Sequence, residues 1–319
     1  KQKGRGSMNI QELGNSILQN IGKVIYGKER EIRLVLAAML AGGHVLLDDI
    51  PGTGKTSMAR ALAVSVDGTA KRVQFTPDLL PGDITGINIF DRKRDDFVFR
   101  PGPVFADILI ADEINRTTPR TQSALLEAME ERQVSVDGVT YPLSDLFFVV
   151  ATENPIESQG TFPLPEAQID RFMMRLSLGY PDRESEKRIL SDHMAASPLG
   201  TLKPVCTTDD IRKAKAEARQ IFVSEKISDY IVRIAEATRT SDRVRLGVSP
   251  RASLALMHVS QALAALDGRD HVLPDDVKAA APSVLAHRII TRSQSALRLT
   301  DSAEKVIGYI LDSVAAPID

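Results

Sequence analysis

The stretch HVLLDDIPGTGKTSMARALAV, residues 44–64, constrains the fold of this chain more than any other. An apolar run leads into two glycines, a lysine and a hydroxyl, and an amphipathic helical pattern follows at once. Phosphate oxygens need backbone N–H groups crowded around them, a cation, and a hydroxyl able to ligate magnesium. Gly52, Thr53 and Gly54 supply the tight curl, Lys55 can reach the β and γ phosphates, and Thr56 can ligate Mg²⁺ while opening a helix that runs on through Ser57. Asp49 stands where the usual G-x-x-x-x-G-K-[ST] pattern has its first glycine. That position is on the strand side of the loop, so the phosphate chemistry survives the exchange. A chance Gly-Lys-Thr before an ordinary helix is the alternative, and it leaves the preceding strand pattern unexplained.

From about residue 8 to 180, helical stretches alternate with the short runs HVLLDD, RVQFT, DILIADE and LFFVVATEN. Short, fully apolar runs between helices predict strands buried on both faces, hence a parallel sheet with helices on either side. Two hairpins interrupt the alternation, at 88–100 with a charged tip and at 134–141 around Asp137-Gly138, a type I′ turn signal. Pro, Gly and Thr replace periodic apolar residues at 197–210, which predicts a linker. Four helical patterns follow, with Ser249-Pro250 and Pro274-Asp275 as plausible starts. The expected organisation is an αβα nucleotide-binding domain over 8–196, that linker, and a small all-helical domain over 211–319. Residues 1–7, with Gly-Ser before Met8, resemble an expression-tag remnant and are left out of the fold.

Composition narrows the class. With 43% hydrophobic and 26% charged residues the chain reads as soluble and globular, and no apolar run reaches a membrane span. A net charge of −2 offers no bulk positive field for nucleic acid. The single cysteine, Cys206, excludes an intrachain disulfide and any multi-cysteine metal site, and it fits a reducing compartment such as the cytoplasm. The histidines show no pair at metal-ligand spacing.

A phosphate loop alone only binds; turnover needs acidic and polar groups at the ends of later strands. DILIADE ends on Asp112, which can hold the Mg²⁺ shell, and Glu113, which can orient or deprotonate water. An acidic helix cap is the bland reading, weakened by the loop upstream. LFFVVATEN ends on Asn154, whose amide can sense the γ-phosphate, although Asn before Pro155 is also ordinary turn chemistry. Arg171 and Arg251 are candidates for the positive charge that phosphoryl transfer requires, suited to two directions of approach; surface arginines are the bland alternative.

Taken together, the loop from Asp49 to Thr56, ILIADEINRTTPRTQSALLEAMEERQVSVDG, VVATENPIESQGTFPLPEAQIDRF and GVSPRA resemble the MoxR family of AAA+ ATPases, over nearly the whole chain from Met8. The resemblance implies an AAA+ P-loop sheet between helices with a helical lid, and ATP and Mg²⁺ as cofactors. It implies that Lys55 and Thr56 form Walker A, Asp112 and Glu113 Walker B, Asn154 sensor 1, Arg171 an arginine finger acting on a neighbouring subunit, and Arg251 sensor 2 on the lid. Val24, Ile25 and Gly27, in KVIYGKERE, then lie near the adenine. Partners implied are a homo-oligomeric ring, six-membered in such proteins, and a protein client that is remodelled, matured or loaded with metal, frequently a von Willebrand factor A protein. No aromatic-apolar-Gly pore loop stands between the Walker motifs; PDLLPGDITG occupies that region, which argues against threading.

Other classes share the parts. A nucleic-acid translocase would use Arg92, Lys93 and Arg94 at the hairpin tip, but Asp91, Asp95 and Asp96 offset them. A metal-chelatase motor subunit has a similar domain order. A binding module without turnover is disfavoured by Glu113, and a GTPase by the lack of an N-K-x-D guanine-reading motif.

Overall fold

The computed structural model describes residues 8–49, 52–153, 161–193, 198–292 and 302–317. Asn9 and Glu12 form a capping box at the start of α1 (Ile10–Ile21), which is followed by α2 (Glu29–Ala41) and β1 (Val45–Asp48). After the phosphate loop come α3 (Lys55–Ser65), β2 (Ala70–Gln74) and α4 (Pro81–Thr85). The first hairpin is β3 (Gly86–Asp91) with β4 (Asp96–Pro101), then come β5 (Ile108–Asp112) and α5 (Pro119–Glu131). The second hairpin is β6 (Gln133–Val136) with β7 (Val139–Pro142), and β8 (Phe148–Glu153), α6 (Glu166–Ile169) and β9 (Met174–Leu176) complete the sheet unit.

Five strands form one parallel sheet in the order β2-β5-β8-β1-β9. Strands β5 and β8 are buried almost throughout and β1 nearly so, as apolar runs between helices require. Strand β2 differs: it starts two residues before the RVQFT run, and only Val73 is even partly buried, because β2 is a sheet edge paired on one side with β5. Strand β9, the other edge, is not among the strands the sequence pattern predicts. It is three residues long and follows a helical stretch, too short for a period to register.

The hairpins fall where expected, each extending beyond the sequence pattern by one or two residues at each end. Asp137 and Gly138 both take positive φ, +51° and +81°, the requirement of a type I′ turn. Asn88 donates to Asp137 across 2.7 Å, and the rings of Phe99 and Tyr141 stack at 4.0 Å. These contacts join the two hairpins side by side.

Helix α7 (Arg183–His193) leads to the C-terminal helices α8 (Thr208–Ala218) and α9 (Glu225–Thr240). Strand β10 (Val244–Leu246), α10 (Pro250–Leu266), α11 (Pro274–Leu285), β11 (Ile290–Thr291) and α12 (Ala303–Ser313) follow. Proline occupies the first turn of both α10 and α11, where its missing N–H costs nothing. One apolar cluster runs from the sheet through Ile17, Leu36 and Leu62 into the C-terminal helices at Ile234, Leu263 and Val284. A second, with Leu46, Leu109, Leu125 and Met129, fills the opposite face of the sheet. Within the expected linker the described residues are tied down at 203–206: Asn20 donates to the Lys203 carbonyl, the amides of Val205 and Cys206 donate to the Ser65 carbonyl, and α8 already begins at Thr208. Cys206 itself is buried. Among the described residues, no helix is long and apolar enough to cross a membrane.

His44, just before β1, locks the second face. Its Nδ1 accepts the Val149 amide at 3.0 Å, so its Nε2 carries the proton and donates to the Met129 carbonyl at 3.2 Å. Burial, with Arg132 and Lys215 nearby, lowers its pKa from 6.5 to about 3. Between those values the unfolded chain binds the proton and the native chain does not, so this contribution to stability is lost as pH falls. The stability difference between wild type and His44→Gln, measured by urea unfolding, should shrink by about 2 kcal/mol from pH 7 to pH 5. A difference independent of pH would show that His44 takes up its proton alike in the native and unfolded states, with no lowered native pKa.

Candidate active site

The carboxyl ends of β1, β5 and β8 lie side by side, and the phosphate loop leaves the sheet at β1, between β8 and β9. In open α/β sheets, ligands bind outside the carboxyl ends of strands where the order reverses. Gly52 and Gly54 take φ of +87° and +90°, conformations that strain any side-chain-bearing residue, and α3 starts immediately behind them. The Asp49 carboxylate accepts the amides of Leu178 (2.6 Å) and Gly179 (2.7 Å). The acid in place of the usual first glycine therefore clamps the loop that follows β9.

Lys55 Nζ donates to the carbonyls of Asp49 and Glu153, the second across 3.0 Å. Burial pulls its pKa below the ordinary lysine value, opposed by Asp49, Asp48, Asp112 and Glu113. Glu153, which no sequence motif singles out, is pushed up to about 7 by burial and by Asp48, against Arg175 and Lys55. Thr56 Oγ1 lies 3.1 and 3.2 Å from the two oxygens of the buried Asp112 carboxylate. A hydroxyl and a carboxylate at this separation are the hard oxygen donors Mg²⁺ takes, so the residues present fit that ion.

Glu113 follows Asp112 with φ +58° and ψ +51°, left-handed values that cost a non-glycine residue about 1 kcal/mol or more. Its amide donates to Thr152 Oγ1 at 2.9 Å, and its carboxylate accepts Gln74 Nε2 at 2.7 Å and Arg116 at 2.8 Å. Arg72 meets Asp112 at 2.6 Å. Residues 72 and 74 alternate onto one face of β2, so a single edge strand holds both acidic residues. Asn154 lies outside the described residues.

Beside the loop opens a cleft of about 410 Å³, a size that suits a small-molecule ligand. Val24, Ile25 and Tyr26 form one wall, Gly52, Thr53, Gly54 and Ser57 the loop side, and Pro181, Ile189 and Leu199 close it. Gly27 stands just outside that lining. Its φ is +67°, and a Cβ there would come within 2.6 Å of Ser185 Oγ, which accounts for the glycine without a ligand.

Arg171 and Arg251 do not line this cleft. They meet on one carboxylate instead: Arg171 Nε lies 3.2 Å from Glu130 Oε2, and Arg251 donates to Glu130 Oε1 at 2.8 Å. Where their places in the sequence suggest separate directions of approach, the geometry brings the two arginines together, because both side chains reach Glu130 near the end of α5. Glu130 carries no local signal of this, as one acid among several in ALLEAMEER.

The sheet order, phosphate loop, paired acids and C-terminal helices define a P-loop ATPase of the AAA+ class with a helical lid. Comparison with known proteins agrees. Residues 44–174 match the family model "ATPase family associated with various cellular activities (AAA)", and residues 236–306 match "AAA lid domain". The chain is 48% identical to the uncharacterised protein YeaC of Bacillus subtilis, over 96% of this chain and 95% of that one. It is 42% identical to the protein named Chaperone MoxR1 of Mycobacterium tuberculosis, over 93% of this chain and 80% of that one. The crystal structure of a candidate ATPase from Cytophaga hutchinsonii superposes with a TM-score of 0.89 at 36% identity, covering 97% of this chain and 96% of that one. The chain belongs to the MoxR family of AAA+ ATPases, and its activity is ATP hydrolysis.

Proposed function

We propose that this chain hydrolyses ATP at a site shared between two copies in a homo-oligomeric ring of six, and that the cycle remodels or matures a protein client. One observation carries the reading: Arg171 and Arg251 share Glu130 and line no part of the chain's own cleft. In this reading a γ-phosphate over Lys55 and Thr56 draws the charge of these two arginines from a neighbour's copy rather than from its own. On the same reading Lys55 and the loop amides hold the phosphates, Val24, Ile25 and Tyr26 pack against the base, and Glu113 orients or deprotonates the attacking water. Mg²⁺, held by Thr56 and Asp112, would neutralise charge between the β and γ phosphates. Gln74 and Arg116 occupy one oxygen of Glu113, so the base is restrained until that contact is exchanged.

A protein client is supported by the name of the mycobacterial relative and by the first hairpin. Ile87, Ile89, Phe90 and Phe97 are exposed there, and Arg94 is offset by Asp91 at 3.8 Å, so the surface is apolar rather than basic. A von Willebrand factor A domain is the first client to try, in pull-downs with and without ATP.

The shared site is tested by mixing two inactive proteins. Arg171→Ala keeps an intact cleft, and Glu113→Gln keeps an intact arginine. Their mixture should hydrolyse ATP several-fold faster than either alone; a rate no higher than the sum of the parents excludes the shared site.

A further inference from the structure

The 3-10 turn Ala286–Arg288 at the end of α11 reaches back to the segment around Arg171. The Arg288 side chain is 3% exposed, and all five of its N–H groups are used. Nε donates to Asp170 Oδ1 at 2.7 Å. One terminal nitrogen donates to the carbonyls of Val284 (2.7 Å) and Met173 (3.3 Å), the other to those of Phe172 (2.8 Å) and Asp170 (3.1 Å). His287 adds a contact to the Phe172 carbonyl at 3.1 Å. The lid thus grips the backbone at 170, 172 and 173, on both sides of Arg171.

A guanidinium buried this far is tolerated only where every donor and its charge are answered, so the arrangement is stiff. Burial and the nearby Arg251 lower the Arg288 pKa, Asp170 opposes them, and an arginine remains charged throughout. Phe172 beyond it is fully buried against the sheet, which leaves the Arg171 backbone little freedom between two anchored neighbours.

We infer that Arg288 is a positioning residue that fixes Arg171 to the lid, so that Arg171 and Arg251 travel as one body toward the neighbouring site. The inference rests on the reading that these arginines serve a neighbour's ATP. It adds that lid and arginine finger are one mechanical unit: Glu130 joins the two side chains, and Arg288 joins the lid to the finger's backbone. A movement of the lid of one subunit would then be felt at the ATP of the next.

The test uses the full chain with Mg-ATP. Arg288→Met should lower kcat by about 10²-fold, the cost of a misplacement near 1 Å. KM and the dissociation constant for a fluorescent ATP analogue should stay within about threefold, because the variant's own cleft is intact. Mixing with Glu113→Gln should restore activity, since the partner supplies a correctly held Arg171; Arg288→Lys should fall between wild type and Arg288→Met. Thermal unfolding checks each protein, and if Arg288→Met does not fold, Asp170→Asn decides, with the same pattern at about tenfold. The inference is overturned if the folded variant keeps wild-type kcat, or if Glu113→Gln does not rescue it while Arg171→Ala in the same assay is rescued. If Arg171→Ala is not rescued either, the shared-site reading itself fails and this inference falls with it.

Discussion

Glu113→Gln is expected to bind ATP with an affinity near that of wild type and to hydrolyse it about 10²–10⁴-fold more slowly. The amide preserves the shape of the side chain and can still meet Gln74 and Arg116, so the left-handed backbone and the β2 contacts should persist. What it loses is the ability to take a proton from water. ATP binding followed with a fluorescent analogue and turnover followed by phosphate release separate the two effects. Loss of binding in parallel with turnover would mean that Glu113 holds the loop together rather than acting on water.

Arg171→Ala is expected to cost about 10³–10⁵ in kcat, the range for a charge supplied at the γ-phosphate in trans. Its own cleft is untouched, so ATP affinity should hold. Arg251→Ala should act in the same direction. Because the two guanidiniums share Glu130, the double variant should lose less than the product of the single losses. Single-turnover hydrolysis at saturating ATP is the measurement, and full additivity would show that the two arginines act independently.

Parts of this site are legible in the sequence because they are local. A loop's glycines and lysine, an apolar run ending on Asp112 and Glu113, and an Asp-Gly turn each carry their chemistry within a few residues, and all are found as the pattern suggests. What is not legible is set by partners far along the chain. Arg72 and Gln74 look like ordinary polar residues of a strand until β2 is seen paired with β5. Arg288 and Asp170 lie 118 residues apart, and no spacing rule connects them. Arg171 and Arg251 are each nameable as motif residues, yet their common carboxylate, Glu130, emerges only in the fold. Glu153 is similar: its carboxyl is raised to about 7 by burial and by Asp48, its partner across the pairing of β8 with β1. Asp49 shows the reverse case, an anomaly visible in the sequence whose reason, the two amides after β9, is visible only in the fold.

The decisive measurement for the shared site is steady-state ATP hydrolysis by the wild-type chain as a function of its own concentration, with mass recorded by light scattering in the same samples. Specific activity should rise steeply with concentration and level off where the mass reaches a fixed multiple of 34.8 kDa, six in the ring proposed. Full specific activity at concentrations where every particle is a monomer would rule out the shared site, since a lone chain would then supply every charge its γ-phosphate needs.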